Sequence, residues 1–183
     1  MKKVIVLAFA LVAIAFAPTA YAQKNPMVGG SAMYNTKDII DNVVNSKDHT
    51  TLVAAVKAAG LVETLKSAGP FTVFAPTNAA FDKLPKGTVA TLVKPESKAT
   101  LTKILTYHVL AGKFSAANII AAIKKGNGTA TFTTVEGGQL KASLDGGKVK
   151  LTDANGGTAF VTIADVNQKN GVVHVIDSVV TPK

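Results

Sequence analysis

Three histidines and a small set of carboxylates are the side chains of this sequence that could carry out acid–base chemistry. His174 and Asp177 lie in an almost wholly apolar run, 172–180, and Ser178 follows directly. A serine, a histidine and an aspartate are the components of a hydrolytic triad. In an extended strand, however, His174 and Ser178 face one side and Asp177 faces the other. The spacing therefore argues against a triad.

The rest of the chain offers no other recognisable catalytic set. It contains no cysteine, which excludes thiol nucleophiles and thiolate metal sites. The serine-hydrolase elbow, the zinc-protease helix motif, the phosphate loop and the dinucleotide glycine fingerprint are all missing from the sequence. No two histidines stand at metal-ligand spacing. We therefore predict a protein that has no enzymatic activity, no cofactor and no metal site.

The histidines have two interpretations. His174 is either a neutral, hydrogen-bonded side chain inside a sheet or a contact residue at a strand edge, and its apolar surroundings favour the first. His108 continues an apolar stripe of helical period formed by Leu101, Ile104 and Leu105. This spacing likewise favours a structural role for His108.

The elements that position these residues follow from the pattern of the carboxyl end. Residues 160–164 alternate like a strand, residues 167–171 are polar, and the apolar run 172–180 is typical of a strand covered on both faces. Asn170-Gly171 predicts the left-handed backbone of a tight reversal. Two antiparallel strands are expected, with Asp165 in the segment that joins them.

The preceding chain divides into a helical half and a strand-rich half. Residues 71–75 have the period of a strand, which Pro76 ends, and Thr77 and Ser115 are expected helix caps. After Gly126, short threonine- and valine-rich strands alternate with turns that contain pairs of glycines. Helices first and strands later predict an α+β domain.

The first residues predict export. Lys2 and Lys3, an apolar run and the small-residue site Ala20-Tyr21-Ala22 are typical of a cleaved signal peptide over 1–22. A retained amino-terminal anchor is the alternative. We expect a flexible lead-in over 23–36, one domain over 37–183, no stable membrane span after cleavage, and a periplasmic or extracellular location.

The charge is basic and comes from lysine alone, with 20 lysines, no arginine and 11 acidic residues. Without Lys2 and Lys3 the excess is +7, which favours anionic partners. The lysines are scattered, and nucleic-acid readers rely on the arginine guanidinium. The composition therefore argues against a nucleic-acid partner.

Three stretches in order resemble the fasciclin-like domain. The first is 71–81, the second is Tyr107-His108-Val109-Leu110, and the third is 170–180, so that the resemblance covers nearly all of the predicted domain. It is strongest to secreted single-domain bacterial members. The motif residues are Thr72, Phe74, Pro76, Thr77, Asn78, Phe81, Asn170, Gly171, His174 and Asp177.

The resemblance implies a β-wedge of two small sheets with a helical layer packed on one side. It also implies a secreted, non-catalytic binding module for cell-surface or matrix adhesion, with a cell-surface protein, the matrix or an acidic polysaccharide as partner. The implied binding residues are Asp165 and Val166, where the family has an aspartate–isoleucine pair, together with Tyr107 and His108. The alternative is a carrier of a small apolar ligand or lipid, which the many valine, isoleucine and alanine residues suggest.

Overall fold

The computed structural model describes residues 25–183. The predicted signal peptide, 1–22, and the first two residues of the predicted lead-in lie outside the described residues. The helices are α1 (Ile39–Val43), α2 (Thr50–Ala59), α3 (Val62–Lys66), α4 (Asn78–Asp82), α5 (Thr88–Leu92), α6 (Lys98–Tyr107) and α7 (Ala116–Lys125), with short 3-10 helices at Lys47–His49 and Pro95–Ser97. The strands are β1 (Met27–Val28), β2 (Ser31–Ala32), β3 (Phe71–Pro76), β4 (Val109–Ala111), β5 (Thr129–Thr133), β6 (Gln139–Asp145), β7 (Lys148–Thr152), β8 (Thr158–Gln168) and β9 (Gly171–Ile176).

Seven strands form one bent sheet in the order β4-β3-β9-β8-β7-β6-β5. The β3–β9 pair is parallel and its other neighbours are antiparallel. The long strand β8 connects the two halves, because its residues up to Phe160 pair with β7 and those from Val161 onward pair with β9. The two expected small sheets are thus continuous through β8. The α+β class is confirmed.

The central strands are covered on both faces. Since successive strand residues point to opposite sides, Val73 and Ala75 of β3 enter a core shared with α1–α6, whereas Phe74 enters a second core with α7 and β5–β8. In β9, Val175 likewise enters the core shared with α1–α6, and Ile176 enters the second core. This two-sided burial explains the almost continuous apolar run at the carboxyl end.

Local capping signals were predicted correctly. The Thr77 hydroxyl accepts a hydrogen bond from the Ala80 N–H at the start of α4. Ser115 accepts from the Asn118 N–H at the start of α7, and the Asn118 side chain accepts from the Ser115 N–H in return. Each cap satisfies backbone donors that have no partner within the helix.

The prediction of a flexible lead-in is wrong for its described part. Strands β1 and β2 form a hairpin, and Val28 and Met33 are only 4% and 2% exposed. The Gly29 carbonyl also accepts a hydrogen bond from the Lys47 N–H. The glycines here build a tight turn against the core, so that the domain begins before residue 37.

The terminal strand pair also differs from the prediction. Strand β8 continues to Gln168, which leaves a connection of two residues before β9, and β9 ends at Ile176 instead of residue 180. Val180 is nevertheless fully buried outside any strand. Hydropathy shows that a residue is buried, but it does not show whether its backbone pairs with a neighbouring strand.

Candidate functional site

Asp165 lies within strand β8, at an irregularity in its pairing with β9. The register shifts between Val161 and Ile163 and again between Ile163 and Val166. Asp165 itself has a left-handed backbone with φ of 57°. The expectation that Asp165 lies in the joining loop is therefore wrong, because the strand absorbs the extra residues as a bulge.

Two hydrogen bonds hold this bulge in place. The Asp165 carboxylate accepts from the Ala116 N–H, 2.8 Å away, at the first residue of α7. The Asp165 N–H donates to Nδ1 of His174 over 3.3 Å. A carboxylate at the positive end of a helix is electrostatically favoured. Asp165 therefore fixes the bulge to α7.

His174 joins three parts of the fold. Its Nδ1 accepts from the bulge, so the proton resides on Nε2, which donates to the Phe114 carbonyl over 2.8 Å. Its ring is fully buried and stacks on that of Phe74 at 5.7 Å. Burial lowers the pKa of His174, against the opposing effects of the Phe114 carbonyl and the Asp165 charge. In the structure His174 is thus a buried side chain with both ring nitrogens hydrogen-bonded.

The Tyr107-His108 pair lies inside the protein. The Tyr107 hydroxyl donates to the Gln139 carbonyl over 2.6 Å and accepts from the Ala154 N–H, which joins α6 to the start of β6 and to the turn after β7. Burial raises the pKa of Tyr107. Nδ1 of His108 donates to the Ile104 carbonyl, and Nε2 accepts from the Val180 N–H. Burial lowers the pKa of His108 to about 4.

Burial separates the four predicted binding residues. Tyr107, His108 and Val166 are 0%, 3% and 1% exposed, whereas Asp165 is on the surface. The exposed surface around Asp165 is the segment 162–165, in which Ile163 is 36% exposed. We call this segment the β8 bulge segment. Of the four, Asp165 alone is exposed to solvent.

The first motif consists of residues that hold neighbouring segments together. The Thr72 hydroxyl donates to the Gly112 carbonyl and accepts from the Phe114 N–H. The Asn78 side chain accepts from the Thr51 N–H and donates to the Lys47 carbonyl. Phe74 is completely buried, Phe81 is nearly so, and Pro76 ends β3. These contacts explain why the motif has these residue types.

Asp177 closes the end of the β8–β9 pair. Its carboxylate accepts from the Phe160 N–H over 2.8 Å and lies 3.5 Å from the Lys83 amine. Partial burial by itself would raise the pKa of Asp177, but the Phe160 hydrogen bond and the Lys83 charge hold that pKa below its ordinary value. Asp177 thus contacts β8 through Phe160 and the end of α4 through Lys83.

Asn170 and Gly171 do not form the predicted left-handed turn, since neither has a positive φ. Asn170 is 5% exposed; its side chain accepts from the Ile39 N–H and donates to the carbonyls of Leu65 and Ser67. A Cβ on Gly171 would lie 2.1 Å from the carbonyl oxygen of the facing β3 residue. The pair is required by long-range contacts that the local pattern does not reveal.

An apolar groove opens between α1, α2, α3 and β3, at a place that no sequence motif marks. We call it the α1–α3 groove, and it encloses about 60 Å³. Its lining residues are Ile39, Ile40, Val43, Val44, Leu52, Val53, Val56, Lys57, Val62, Leu65, Val73 and Ala75. Asn170 fixes the backbone of two of them, Ile39 and Leu65. Apolar stripes in the sequence predict a core, but not a gap within it.

Residues 25–183 contain neither a metal-binding cluster of side chains nor a membrane-spanning helix. No three histidine, aspartate or glutamate side chains of this part of the chain are grouped so that they could hold a metal ion. None of its helices has the length and apolar character needed to cross a membrane.

Comparison with known proteins identifies the family. The model of the fasciclin domain matches residues 47–182, which include all three motifs. The chain belongs to the fasciclin domain family. This fasciclin domain is 43% identical over 169 residues to protein sll1483 of Synechocystis sp., with 92% of this chain and 87% of that protein covered. It is 37% identical over 168 residues to the immunogenic protein MPB70 of Mycobacterium bovis, with 88% and 78% covered.

A solved structure confirms the fold. A domain pair from the insect cell adhesion molecule fasciclin I superposes on this fasciclin domain with a TM-score of 0.69 at 16% identity. The match covers 78% of this chain and 50% of the other. The family and the fold expected from the three motifs are therefore both confirmed.

Proposed function

We propose that this fasciclin domain is an exported, non-catalytic adhesion module that contacts its partner through the β8 bulge segment, 162–165. The observation that carries the proposal is the exposure of this segment around Asp165. The family resemblance implies binding at this aspartate. The structural similarity of this fasciclin domain to a domain pair of a cell adhesion molecule supports the same class of function.

The geometry of the segment supports a contact with an extended partner. Strand β7 pairs with β8 only as far as Phe160, so no strand within residues 25–183 pairs with the outer edge of the segment. An open strand edge offers backbone groups to an extended peptide, and an exposed apolar side chain adds a contact. Ile163 is such a side chain, and the Asp165 carboxylate is held still by α7.

The partner that we propose is a cell-surface protein, a matrix component or an acidic polysaccharide. The lysine excess speeds the approach of an acidic partner without specifying it. The absence of arginine from the chain weighs against nucleic acid.

The test compares two strand substitutions of equal character. Ile163→Gln removes the apolar side chain from the bulge segment without adding a charge, and Leu144→Gln does so on β6, where Leu144 is 39% exposed. Binding of the purified protein to cells, matrix proteins and acidic polysaccharides is measured for both variants. We expect Ile163→Gln to weaken binding about tenfold or more while Leu144→Gln leaves it unchanged. Equal effects, or no binding by the unaltered protein, would refute the proposal.

A further inference from the structure

The lining of the α1–α3 groove determines what can enter it. Eleven of the twelve lining residues are aliphatic, so a polar group of a ligand would find no hydrogen-bond partner inside. Seven of the side chains, Ile39, Val43, Leu52, Val56, Leu65, Val73 and Ala75, also belong to the buried core. The buried part of any occupant must therefore be hydrocarbon.

The size of the groove restricts that hydrocarbon further. Its volume of about 60 Å³ is less than half that of an apolar cavity known to bind benzene, which has about 150 Å³. The groove is therefore too small for an aromatic ring. It fits the end of an unbranched alkyl chain, whose remainder would lie along Val44, which is 45% exposed, and Val53 at the rim.

Lys57 gives the mouth of the groove its charge. Within residues 25–183 it is the one charged residue among the lining side chains, and it lies four residues after Val53, about 6 Å along α2. Its amine is exposed and pairs with no carboxylate within residues 25–183. A chain that emerges past Val53 thus meets an available ammonium group.

Contacts within the protein hold the walls of the α1–α3 groove in the absence of a ligand. Asn170 binds the backbone of Ile39 and Leu65, and the Asp41 carboxylate pairs with the Lys66 amine over 2.8 Å, which joins α1 to α3. A preformed groove spares a ligand the cost of ordering it. A motif residue of the family thereby holds two sides of the groove.

We propose that the α1–α3 groove binds an unbranched alkyl carboxylate, with the end of the chain in the void and the carboxylate on Lys57. This gives the expected carrier role a location and a ligand class. The groove lies on different elements from the β8 bulge segment, so each proposal can fail without the other.

The test is a titration with decanoate below its critical micelle concentration, followed by methyl NMR. Two probes are controls: decyltrimethylammonium has the same chain and the opposite charge, and acetate has the head group alone. We expect saturable shifts of the methyl groups of Val43, Leu52 and Val56 with decanoate, binding about tenfold weaker with decyltrimethylammonium, and no shifts with acetate.

Matched variants test the recognition of the ligand's carboxylate and of its alkyl chain separately. Lys57→Glu should reverse the preference between the two decyl probes, whereas Lys124→Glu should not, because Lys124 stands in the last turn of α7, another ten-residue helix. Val43→Ile adds a methyl group to the void and should abolish binding while the spectrum stays folded.

Three results would overturn the proposal. The first is a decanoate titration that leaves the lining methyl groups unshifted or shifts methyl groups throughout the protein. The second is a Lys57→Glu variant that binds decanoate as tightly as the unaltered protein. The third is a shift of the same methyl groups with protein concentration alone, which would assign the groove to a second copy of the chain.

Discussion

Acidification should destabilise this fasciclin domain through His108. The imidazole is 3% exposed, and both ring nitrogens are committed: Nδ1–H donates to the Ile104 carbonyl and Nε2 accepts from the Val180 N–H. A second proton would have to take the place that the Val180 N–H already occupies. Protonation is therefore incompatible with the folded contact, and burial lowers the pKa of His108 from 6.5 to about 4.

The sign and the size follow from linkage. Because the folded pKa is below the unfolded pKa, the unfolded chain takes up the proton first, and stability is lost as the pH falls below about 6.5. The contribution of His108 to that loss is about 2 kcal/mol at pH 5 and about 3 kcal/mol at pH 4, and it levels off at lower pH. Burial also lowers the pKa of His49 and of His174, which adds loss in the same direction.

The assay is chemical denaturation at pH 7 and pH 5 for the unaltered protein and for His108→Gln, which cannot titrate in this range. Between pH 7 and pH 5 the free energy of unfolding should fall in both proteins. We expect the fall to be about 2 kcal/mol smaller in His108→Gln than in the unaltered protein. Asp177, whose pKa is lowered in the folded state, loses its stabilising effect only below about pH 4, so it does not interfere.

An equal loss in both proteins would refute the reasoning. If the variant does not fold, the unaltered protein still decides the matter, because NMR titration of its His108 ring should give a pKa about two units below that of an exposed histidine. An ordinary pKa, or a proton on Nε2 at pH 7, would contradict the hydrogen bonds assigned here.

Substitutions at Asp165, Asn170 and Gly171 test the contacts of these residues by denaturation. Asp165→Asn should keep the fold, since asparagine tolerates a positive φ and can accept from α7, whereas Asp165→Ala should cost about 1–3 kcal/mol; equal stability would contradict the capping role. Asn170→Ala should cost about 2–4 kcal/mol, against less than about 0.5 kcal/mol for the exposed neighbour in Lys169→Ala, and similar values would show that its three hydrogen bonds matter little. Gly171→Ala should prevent stable folding, because its Cβ would lie 2.1 Å from a backbone oxygen of β3, and a cost below about 1 kcal/mol would mean that the strands can separate cheaply.

The elements could be predicted because their signals are local. Thr77 and Ser115 each stand directly before the helix that they cap. The apolar spacing that indicates the helix is visible within the next one or two turns of sequence. The apolar run in β9 likewise reports two-sided burial directly. Fold class and family follow from such signals, and the matched family model agrees.

The candidate site could be predicted only in part. Asp165 was singled out, but its bulge depends on how β8 registers against β9, and no residue near Asp165 in the sequence specifies that register. Tyr107 and His108 were also proposed as contacts, although the hydrophobic period already indicated that His108 is buried. The groove was missed because a void depends on the volumes of side chains from four elements at once.

The sequence by itself determined the period of most helices and of the long strands, the caps at Thr77 and Ser115, the lysine-based charge and the three family motifs. The tertiary structure decided what the motif residues do, because their partners are distant in the chain. Asn170 bonds to Ile39, 131 positions away, and to Leu65, 105 positions away. Such partners are set by the packing of whole elements, which a local pattern does not encode. Only the folded chain therefore shows that Asn170-Gly171 contacts both helices and strand β3. It also shows that Asp165, a residue of strand β8, accepts a hydrogen bond from the first residue of α7.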